Sequence, residues 1–276
     1  MNTGTSLLFT VLFACFCFPS QACTQNALGT ARVLSFGTQG GFAVGLKTYP
    51  QSLALEDHEV VLTFDDGPWP ATTPKILDAL AAECVQATFF LIGRNAAAAP
   101  TLVKRELAEG HTVGHHSYSH PAVTLRGLSI EAAEADVARG FVADDMAAYG
   151  SAAAQPLVPF FRYPGFGDSP ALNEWLKARG VGIFGTDIWA SDWSAMSPGA
   201  ELTLVMKRLE AQKRGIILFH DTKAQTAAML PAFLRELKLR SYKIVHIVPG
   251  TGNAETRPAP QGWSSETERT MKRLGM

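Results

Sequence analysis

The sequence predicts an α/β fold: a single catalytic domain built as a distorted (β/α)7-type barrel with parallel strands. Short runs rich in β-branched and aromatic residues alternate with helical patterns from residue 59 onward, which is typical of a parallel sheet covered by helices. About seven such units are present, and seven or eight units close most naturally into a barrel. An open doubly wound sheet is the alternative, but no G-x-G-x-x-G motif follows the first strand.

Each predicted element has a local signal in the chain. The strand runs are residues 59–66, 87–92, 111–117, 159–163, 181–189, 215–221 and 243–248. The helical patterns are residues 72–83, 100–110, 129–149, 169–180, 201–212 and 226–240. The fourth helix has the clearest ends, because Ser169 can cap it, Pro170 suits its first position and Gly180 follows its last turn. Pro231 is predicted to bend the last helix or to start it.

Composition and charge are those of an ordinary globular protein. The chain has 276 residues, of which 47% are hydrophobic and 18% charged, with a formal net charge of −1. That balance gives no electrostatic reason to expect nucleic acid or a membrane surface as a partner, and nothing in it indicates an oligomeric state. We assign residues 23–55 to an N-terminal extension, 56–250 to the catalytic domain and 251–276 to a polar, peripheral C-terminal tail.

Residues 1–22 are predicted to be a signal peptide. Their apolar stretch, 7–18, is too short to span a bilayer, and Ser20 and Ala22 are small residues at the positions that a signal peptidase reads. We therefore expect an exported protein, periplasmic or secreted, with no transmembrane segment in the mature chain. A lipid anchor on Cys23 is the alternative, although Ser20 stands where such signals usually carry leucine.

Two cysteines, Cys23 and Cys84, remain after removal of the predicted signal peptide. Cys84 is expected to pack as a small buried residue. A disulfide between the two in an oxidising compartment is the less favoured alternative. No C-x-x-C spacing that would indicate a metal site is present in the sequence.

The chain places two carboxylates, Asp65 and Asp66, directly after the apolar run 60–62 of the first strand. Adjacent acids at the mouth of a core strand repel each other and lose hydration, so they need a positive partner unless they lie in a solvated turn. Other reactive side chains also follow strand runs, namely His116, His120, Arg162, Asp192 and His220. Because the strands of such a barrel end at one rim, we expect these residues to converge there.

His116 and His120 are separated by four positions, a spacing that lets both imidazoles face one point. With Asp66 they predict a metal site of two histidines and one acid. Zinc or a similar ion would generate hydroxide from water, whereas iron(II) would serve an oxygenase. Hydrolysis is favoured, because such oxygenases carry their acid just after the first histidine and Asp66 lies far upstream. His111 and His115 are not expected to be ligands.

Four of these residues predict the proton transfers of a hydrolase. Asp65 would take a proton from the attacking water, and Arg162 would orient its carboxylate. His220 would protonate a leaving nitrogen. Asp192 would hold either His220 or Arg162 in place.

Two further pairs predict contacts with the substrate. The backbone N–H of Gly165 or Phe166 would stabilise an oxyanion. Trp193 and Leu218 would form an apolar slot for a small group such as a methyl. Simple core packing is an equally good interpretation of those two side chains.

Five motifs in this chain resemble those of the polysaccharide deacetylase family, carbohydrate esterase family 4. They are TFDDGP at 63–68, HSYSH at 116–120, RYPGFG at 162–167, SDW at 191–193 and LFH at 218–220. The resemblance spans residues 56–250, and several motifs in the family's order are a specific signal. It implies a distorted barrel, a divalent metal (zinc first, then cobalt or nickel) and hydrolytic removal of acetyl groups from polymers of N-acetylglucosamine.

The resemblance also implies a role for each matched residue. The implied metal ligands are Asp66, His116 and His120, with Asp65 as base and His220 as acid. The implied supporting residues are Arg162 for the base, Asp192 for the acid, and Trp193 with Leu218 for an acetyl pocket. Gly165 departs from the family pattern, because it intervenes before the aromatic residue that usually follows the proline. The amides of Gly165 and Phe166 therefore both stay candidates for the oxyanion donor.

We expect an exported, metal-dependent hydrolase that removes N-acetyl groups from N-acetylglucosamine-containing glycans, such as chitooligosaccharide or peptidoglycan. The expected partner is therefore an acetylated glycan. An O-acetyl esterase acting on xylan is the alternative, because both reactions pass through a tetrahedral oxyanion. A glycan-binding module without turnover is a third interpretation, which the intact base, ligands and acid disfavour.

Overall fold

The computed structural model describes residue 23, residues 25–273 and residue 275. The predicted signal peptide, residues 1–22, lies outside this part of the chain. Within the described residues, no helix combines the length and the apolar character that a membrane span requires.

Strands and helices alternate along most of the chain. The strands are β1 (Thr30–Gly37), β2 (Ala43–Val44), β3 (Gln51–Leu53), β4 (Glu59–Asp65), β5 (Thr88–Leu91), β6 (Thr112–His115), β7 (Phe160–Phe161), β8 (Gly182–Phe184), β9 (Ile188–Trp189), β10 (Gly215–His220), β11 (Lys243–Asn253) and β12 (Thr256–Pro258). The helices are α1 (Thr73–Ala82), α2 (Gly93–Ala98), α3 (Pro100–Ala108), α4 (Ile130–Tyr149), α5 (Pro170–Ala178), α6 (Pro198–Gln212), α7 (Ala224–Leu239) and α8 (Glu266–Arg273).

The central sheet is parallel at every strand pair. Its order is β1-β11-β4-β5-β6-β7-β8-β2, while β10 pairs with β4 and β9 pairs with β10. The register aligns His220 with Asp65, so β10 and β4 end at the same level. No ladder among the described residues joins β2 to β9, and the barrel is open at that point. This arrangement confirms the predicted α/β fold with a distorted barrel of parallel strands.

Strand β4 lies inside the sheet and is buried along its whole length. Successive side chains of a strand point to opposite faces. Val60, Leu62 and Phe64 pack in the apolar cluster beneath the outer helices, whereas Val61 packs in the cluster inside the barrel. Asp65 shares the inner face with Val61, and this alternation directs its carboxylate into the mouth of the barrel.

Three elements differ in detail from the sequence prediction. The predicted strand over 181–189 is divided into β8 and β9, because Asp187 lies between them and accepts the Ile216 amide at 2.8 Å. Helix α6 begins earlier than predicted, since Ser197 provides its N-terminal cap. Helix α7 is continuous through Pro231 and neither starts nor ends there.

Both terminal segments join the main body of the fold. β1 pairs in parallel with β11 at the edge of the central sheet, and β3 pairs antiparallel with β12. The chain then forms α8, in which Met271 is only 4% exposed. The prediction of a peripheral tail is therefore wrong, because the polar composition of this segment does not reveal the distant strands against which it packs.

Cys84 forms a disulfide with Cys23, with the two Cα atoms 5.9 Å apart. The expectation that Cys84 packs simply as a small buried residue is wrong, and the less favoured alternative, a disulfide with Cys23, is what the structure shows. The amides of Leu28 and Gly29 both donate to Glu83, at 2.8 Å each, and so bring the N-terminal segment beside the end of α1. The bond also occupies the Cys23 sulfur that a lipid anchor would use.

Candidate active site

A cavity of about 420 Å3 lies at the C-terminal ends of the central strands. The sequence-predicted residues that line it are Asp65, Asp66, His116, His120, Gly165, Phe166, Trp193, Leu218 and His220. The other two, Arg162 and Asp192, lie behind the wall, and each is hydrogen-bonded to a lining residue. The fold therefore brings all of the predicted residues to one place.

Asp66, His116 and His120 form a cluster in which one donor atom of each lies within 4.8 Å of the others. Oδ1 of Asp66 is 3.6 Å from Nε2 of His116 and 3.5 Å from Nε2 of His120. This oxygen is buried, and no group of the described chain forms a hydrogen bond with it. One carboxylate and two imidazoles suit a zinc-type ion, and a cation would satisfy the orphaned oxygen. The residues present therefore fit a divalent metal.

The backbone orients His116 so that Nε2 is free to bind a metal. Its Nδ1–H donates to the carbonyl oxygen of Arg162 at 2.8 Å, which fixes the ring and leaves Nε2 facing Asp66. Burial, reinforced by the neighbouring His120, lowers the pKa of His116 to about 3. The imidazole is therefore neutral, which is the form that binds metals.

A tight loop after β6 brings His120 back beside His116. Ser117 and His120 have positive φ angles of 64° and 48°, a conformation that costs about 1 kcal/mol or more for a non-glycine residue. Ser117 Oγ accepts the His120 amide at 3.1 Å, and Asp136 of α4 accepts the two intervening amides. Sequence reasoning missed Asp136, because its role depends on where α4 packs.

Asp65 and Arg162 form a buried ion pair, with Oδ1 of the carboxylate 2.7 Å from a guanidinium nitrogen. Arg162 is fully buried, and its other N–H groups donate to the Thr63 hydroxyl and to two backbone carbonyl oxygens at the end of β8. Burial raises the pKa of Asp65, although the charge of Arg162 opposes that shift. The carboxylate is therefore held in one orientation and made more basic.

His220 and Asp192 form a second pair. Nδ1 of His220 lies 2.7 Å from Oδ1 of Asp192, whose Oδ2 accepts the backbone N–H of His220 at 2.6 Å. Burial disfavours the charged ring, but the carboxylates, Asp192 foremost, raise the pKa of His220 to about 9. Nε2 lies 4.0 Å from Oδ2 of Asp66. Of the two predicted alternatives, Asp192 holds His220 and not Arg162.

Aromatic side chains form one part of the cavity wall. Trp193 is 47% exposed, and its ring meets His220 edge-on with 6.0 Å between the ring centroids. Trp189 lies 5.7 Å from Trp193 and 6.1 Å from Phe166, again between centroids. Sequence reasoning missed Trp189, although its position at the end of the predicted strand over 181–189 is a signal that could have found it.

The two candidate oxyanion donors differ in their hydrogen bonding. The Phe166 amide donates to the Tyr163 carbonyl oxygen at 2.9 Å. Among the described residues, no backbone hydrogen bond uses the Gly165 amide. Gly165 has a φ of 56°, a left-handed conformation that glycine adopts without strain. The geometry therefore favours the Gly165 amide.

Helix α8 supplies a part of the cavity wall that the sequence analysis did not foresee. Thr267, Thr270 and Met271 of this helix line the cavity. Its start carries a detectable signal, because Ser265 precedes Glu268 with the spacing of a helix-capping box. The Ser265 hydroxyl oxygen does accept the Glu268 amide, at 3.1 Å.

Polar contacts with two loops hold α8 in place. The Thr267 amide donates to the Lys47 carbonyl oxygen at 3.0 Å. Arg126, which follows His120 in the segment between β6 and α4, donates to Glu268 of α8 at 2.5 Å and to Asp168 at 3.1 Å. Arg126 thereby joins the loop between β6 and α4 to α8 and to the residue that follows the RYPGFG motif.

The chain is similar to known deacetylases. The family model for polysaccharide deacetylase matches residues 53–179. A peptidoglycan-N-acetylglucosamine deacetylase of Listeria monocytogenes is 33% identical over 195 residues, which cover 70% of this chain and 39% of that protein. This chain therefore spans less than half the length of that relative. A chitooligosaccharide deacetylase of Rhizobium leguminosarum bv. trifolii is 34% identical over 166 residues, which cover 60% of this chain and 73% of that protein.

A solved structure extends the similarity to the fold. A peptidoglycan deacetylase of Bdellovibrio bacteriovorus superposes with a TM-score of 0.70 and 32% identity, over 82% of this chain and 61% of that one. The family match, together with 34% identity over 73% of the length of the Rhizobium leguminosarum relative, shows that this chain belongs to the polysaccharide deacetylase family.

Proposed function

We propose that the protein is a metal-dependent hydrolase that removes N-acetyl groups from N-acetylglucosamine-containing glycans. One observation carries the proposal: a single cavity is lined by a candidate metal cluster, a buried carboxylate and a charged imidazole. Metal ligands, a base and an acid are what the hydrolysis of an amide requires. The relatives named as deacetylases of peptidoglycan and of chitooligosaccharide support this substrate class.

In this proposal Asp66, His116 and His120 hold the divalent ion, and zinc suits the donor set best, with cobalt or nickel as alternatives. When bound, such an ion lowers the pKa of a water molecule and polarises a carbonyl oxygen. Asp65 accepts the proton of the attacking water at Oδ2, since Arg162 occupies Oδ1. Oδ2 lies 3.9 Å from Nε2 of His116, so the base stands beside the ligands.

His220 supplies the second proton. Its pKa of about 9 keeps the ring charged at neutral pH, and Nε2 donates to the nitrogen of the departing amine, a poor leaving group unless it is protonated. The Gly165 amide donates to the oxyanion that develops on the acetyl carbonyl. Trp193 and Leu218 receive the acetyl methyl group in the apolar part of the cavity.

We also propose that the enzyme acts outside the cytoplasm after removal of residues 1–22. The Cys23–Cys84 disulfide supports this, because such bonds persist in oxidising compartments. The proposed catalytic domain covers residues 56–250.

Acetate release from a panel of glycans tests the function. The zinc-loaded protein is incubated with peptidoglycan, chitooligosaccharides and acetylated xylan, and free acetate and product masses are measured. We expect acetate and new primary amines from the first two substrates, and a loss of both in Asp65→Asn. Release from xylan alone would indicate an O-acetyl esterase, and glycan binding with no acetate release would indicate a binding module; either result contradicts the proposal.

A further inference from the structure

A chain of hydrogen bonds continues behind His220 and Asp192 into the protein interior. The Thr226 hydroxyl of α7 lies 2.8 Å from Oδ2 of Asp192 and 2.9 Å from Oε1 of Glu201 on α6. Thr226 and Glu201 are fully buried, and Asp192 is 1% exposed. Four side chains from separate elements are therefore linked in series, and neither Thr226 nor Glu201 reaches the cavity.

The number of protons available to this series of hydrogen bonds limits how many of its carboxyl groups can be ionised. A threonine hydroxyl has one proton to donate, yet Thr226 meets a carboxylate oxygen on each side. If both carboxylates were ionised, one of these short contacts would join two acceptors with no proton between them, at a buried position where that is costly. Every contact is satisfied if one carboxyl group is protonated and donates to the Thr226 oxygen.

The surroundings of the two acids decide which one carries that proton. Asp192 accepts the backbone N–H and the Nδ1–H of His220, in addition to the Thr226 hydroxyl. Burial would raise the pKa of Asp192, but His220 and these hydrogen bonds lower it overall. Burial and the charge of Asp192 raise the pKa of Glu201 to about 7. The proton therefore belongs on Glu201.

We propose that Glu201, as a neutral carboxylic acid, and Thr226 are positioning residues that keep Asp192 ionised and aligned with His220. Glu201 donates to the Thr226 oxygen, Thr226 donates to Oδ2 of Asp192, and Oδ1 of Asp192 accepts the proton on Nδ1 of His220. The catalytic consequence rests on the acid role of His220 in the proposed function, whereas the hydrogen-bond order stands independently of it.

Matched substitutions in the zinc-loaded full-length protein test the catalytic consequence. Thr226→Ser and Glu201→Gln each keep a donor in place, whereas Thr226→Val and Glu201→Leu remove it. We expect Thr226→Val to lower kcat about tenfold with little change in KM, because the hydrogen bond to the charged Asp192 is lost. We expect Glu201→Leu to lower kcat by a smaller factor, because the hydrogen bond that it removes joins two neutral groups. We expect the two conservative variants to stay within about threefold of the wild type. Equal kcat values for Thr226→Ser and Thr226→Val would overturn the proposal.

Two spectroscopic measurements test the hydrogen-bond order without using activity. Infrared difference spectra of wild type minus Glu201→Gln should show the carbonyl band of a protonated carboxylic acid, and a carboxylate band instead would overturn the proposal. In proton NMR, the Nδ1 proton of His220 should give a downfield resonance that persists in Thr226→Ser and shifts upfield or is lost in Thr226→Val. An unchanged resonance in Thr226→Val would likewise contradict it.

Two further measurements distinguish a failure of this proposal from a failure of the proposed function: a control substitution on the protein surface and the activity of the wild type. Thr203→Val makes the same substitution at an exposed position of α6 and should change neither kcat nor the resonance. If the wild type released no acetate from any glycan, the proposed function would fail. The infrared and NMR measurements would still decide the hydrogen-bond order.

Discussion

The cavity has two kinds of wall, and they are held in different ways. The strand-end wall carries the reactive side chains at the ends of β4, β6 and β10, and ion pairs buried in the barrel hold it. The α8 wall carries Thr267, Thr270 and Met271, and contacts with loops hold it. The comparison indicates that the buried sheet positions the reactive side chains, whereas a helix far away in the chain shapes the opposite part of the cavity.

Asp65→Asn tests the strand-end wall most severely. The amide keeps the shape of the side chain but cannot accept the proton of the attacking water, so we expect kcat to fall roughly 10²- to 10⁴-fold. Acetate release at saturating glycan measures the effect. Asp57→Asn changes an exposed acid before β4 and should leave kcat unchanged. A fall in kcat of less than tenfold in Asp65→Asn would show that Asp65 is not the catalytic base.

His120→Ala tests whether the strand-end wall holds the metal. A ligand that binds only the folded protein stabilises it, by about 2.7 kcal/mol when its free concentration is a hundredfold above Kd. We expect zinc to raise the free energy of unfolding of the wild type by this mechanism and to have no such effect on His120→Ala. Urea unfolding with and without zinc measures it, and His58→Asn, away from the cavity, should respond as the wild type does. Equal stabilisation of wild type and His120→Ala would place the metal elsewhere.

Glu106 of α3 makes the stability of the protein interior depend on pH. It is fully buried, and neither carboxylate oxygen has a partner among the described residues. Burial, followed by the charge of Asp221, raises the pKa of Glu106 well above the ordinary 4.5. The folded protein thus keeps a proton that the unfolded chain releases, so stability falls as pH rises from about 4.5 toward the raised pKa.

Glu106→Leu should remove that pH dependence. We expect it to raise the free energy of unfolding at pH 8 by about 1–3 kcal/mol, the usual cost of an unsatisfied buried polar group, with a smaller gain at pH 5. Urea unfolding at both pH values measures the difference. Glu174→Leu, on the exposed face of α5, serves as the control and should show no such pH dependence. A greater gain at pH 5 than at pH 8 would reverse the predicted sign.

Met271→Ala tests the α8 wall and should have the smallest effect. Loss of apolar contact worth about 1 kcal/mol corresponds to roughly a fivefold weaker complex. We expect KM to rise by that factor with kcat unchanged, in contrast to Asp65→Asn. Steady-state kinetics on a chitooligosaccharide measures both, and Lys272→Ala, exposed on the same helix, is the control. A fall in kcat without a change in KM would contradict the prediction that the α8 wall affects substrate binding and not the chemical step.

Several parts of the site were predictable because they depend on local pattern and on strand ends. The alternation along β4 directs Asp65 into the barrel, and the parallel register brings His220 to the same level. The four-residue spacing of His116 and His120 predicted a pair of imidazoles, which the loop after β6 does bring together. These features follow from the chain geometry of short segments, which the sequence expresses directly.

Other parts depend on contacts between segments far apart in the chain. The division of 181–189 into two strands follows from the hydrogen bonds of Asp187. The turn that occupies the Phe166 amide is the reason why we propose the Gly165 amide as the oxyanion donor. The Cys23–Cys84 bond likewise depends on how the N-terminal segment packs beside α1.

The sequence by itself determined the alternating elements, the strand ends and the reactive side chains that those ends carry, because periodicity and turn residues act over a few neighbouring positions. The tertiary structure alone decided that α8 forms a cavity wall and that Thr226 and Glu201 stand behind Asp192. The physical reason is that packing and buried hydrogen bonds join residues by distance in space, which residue order does not express.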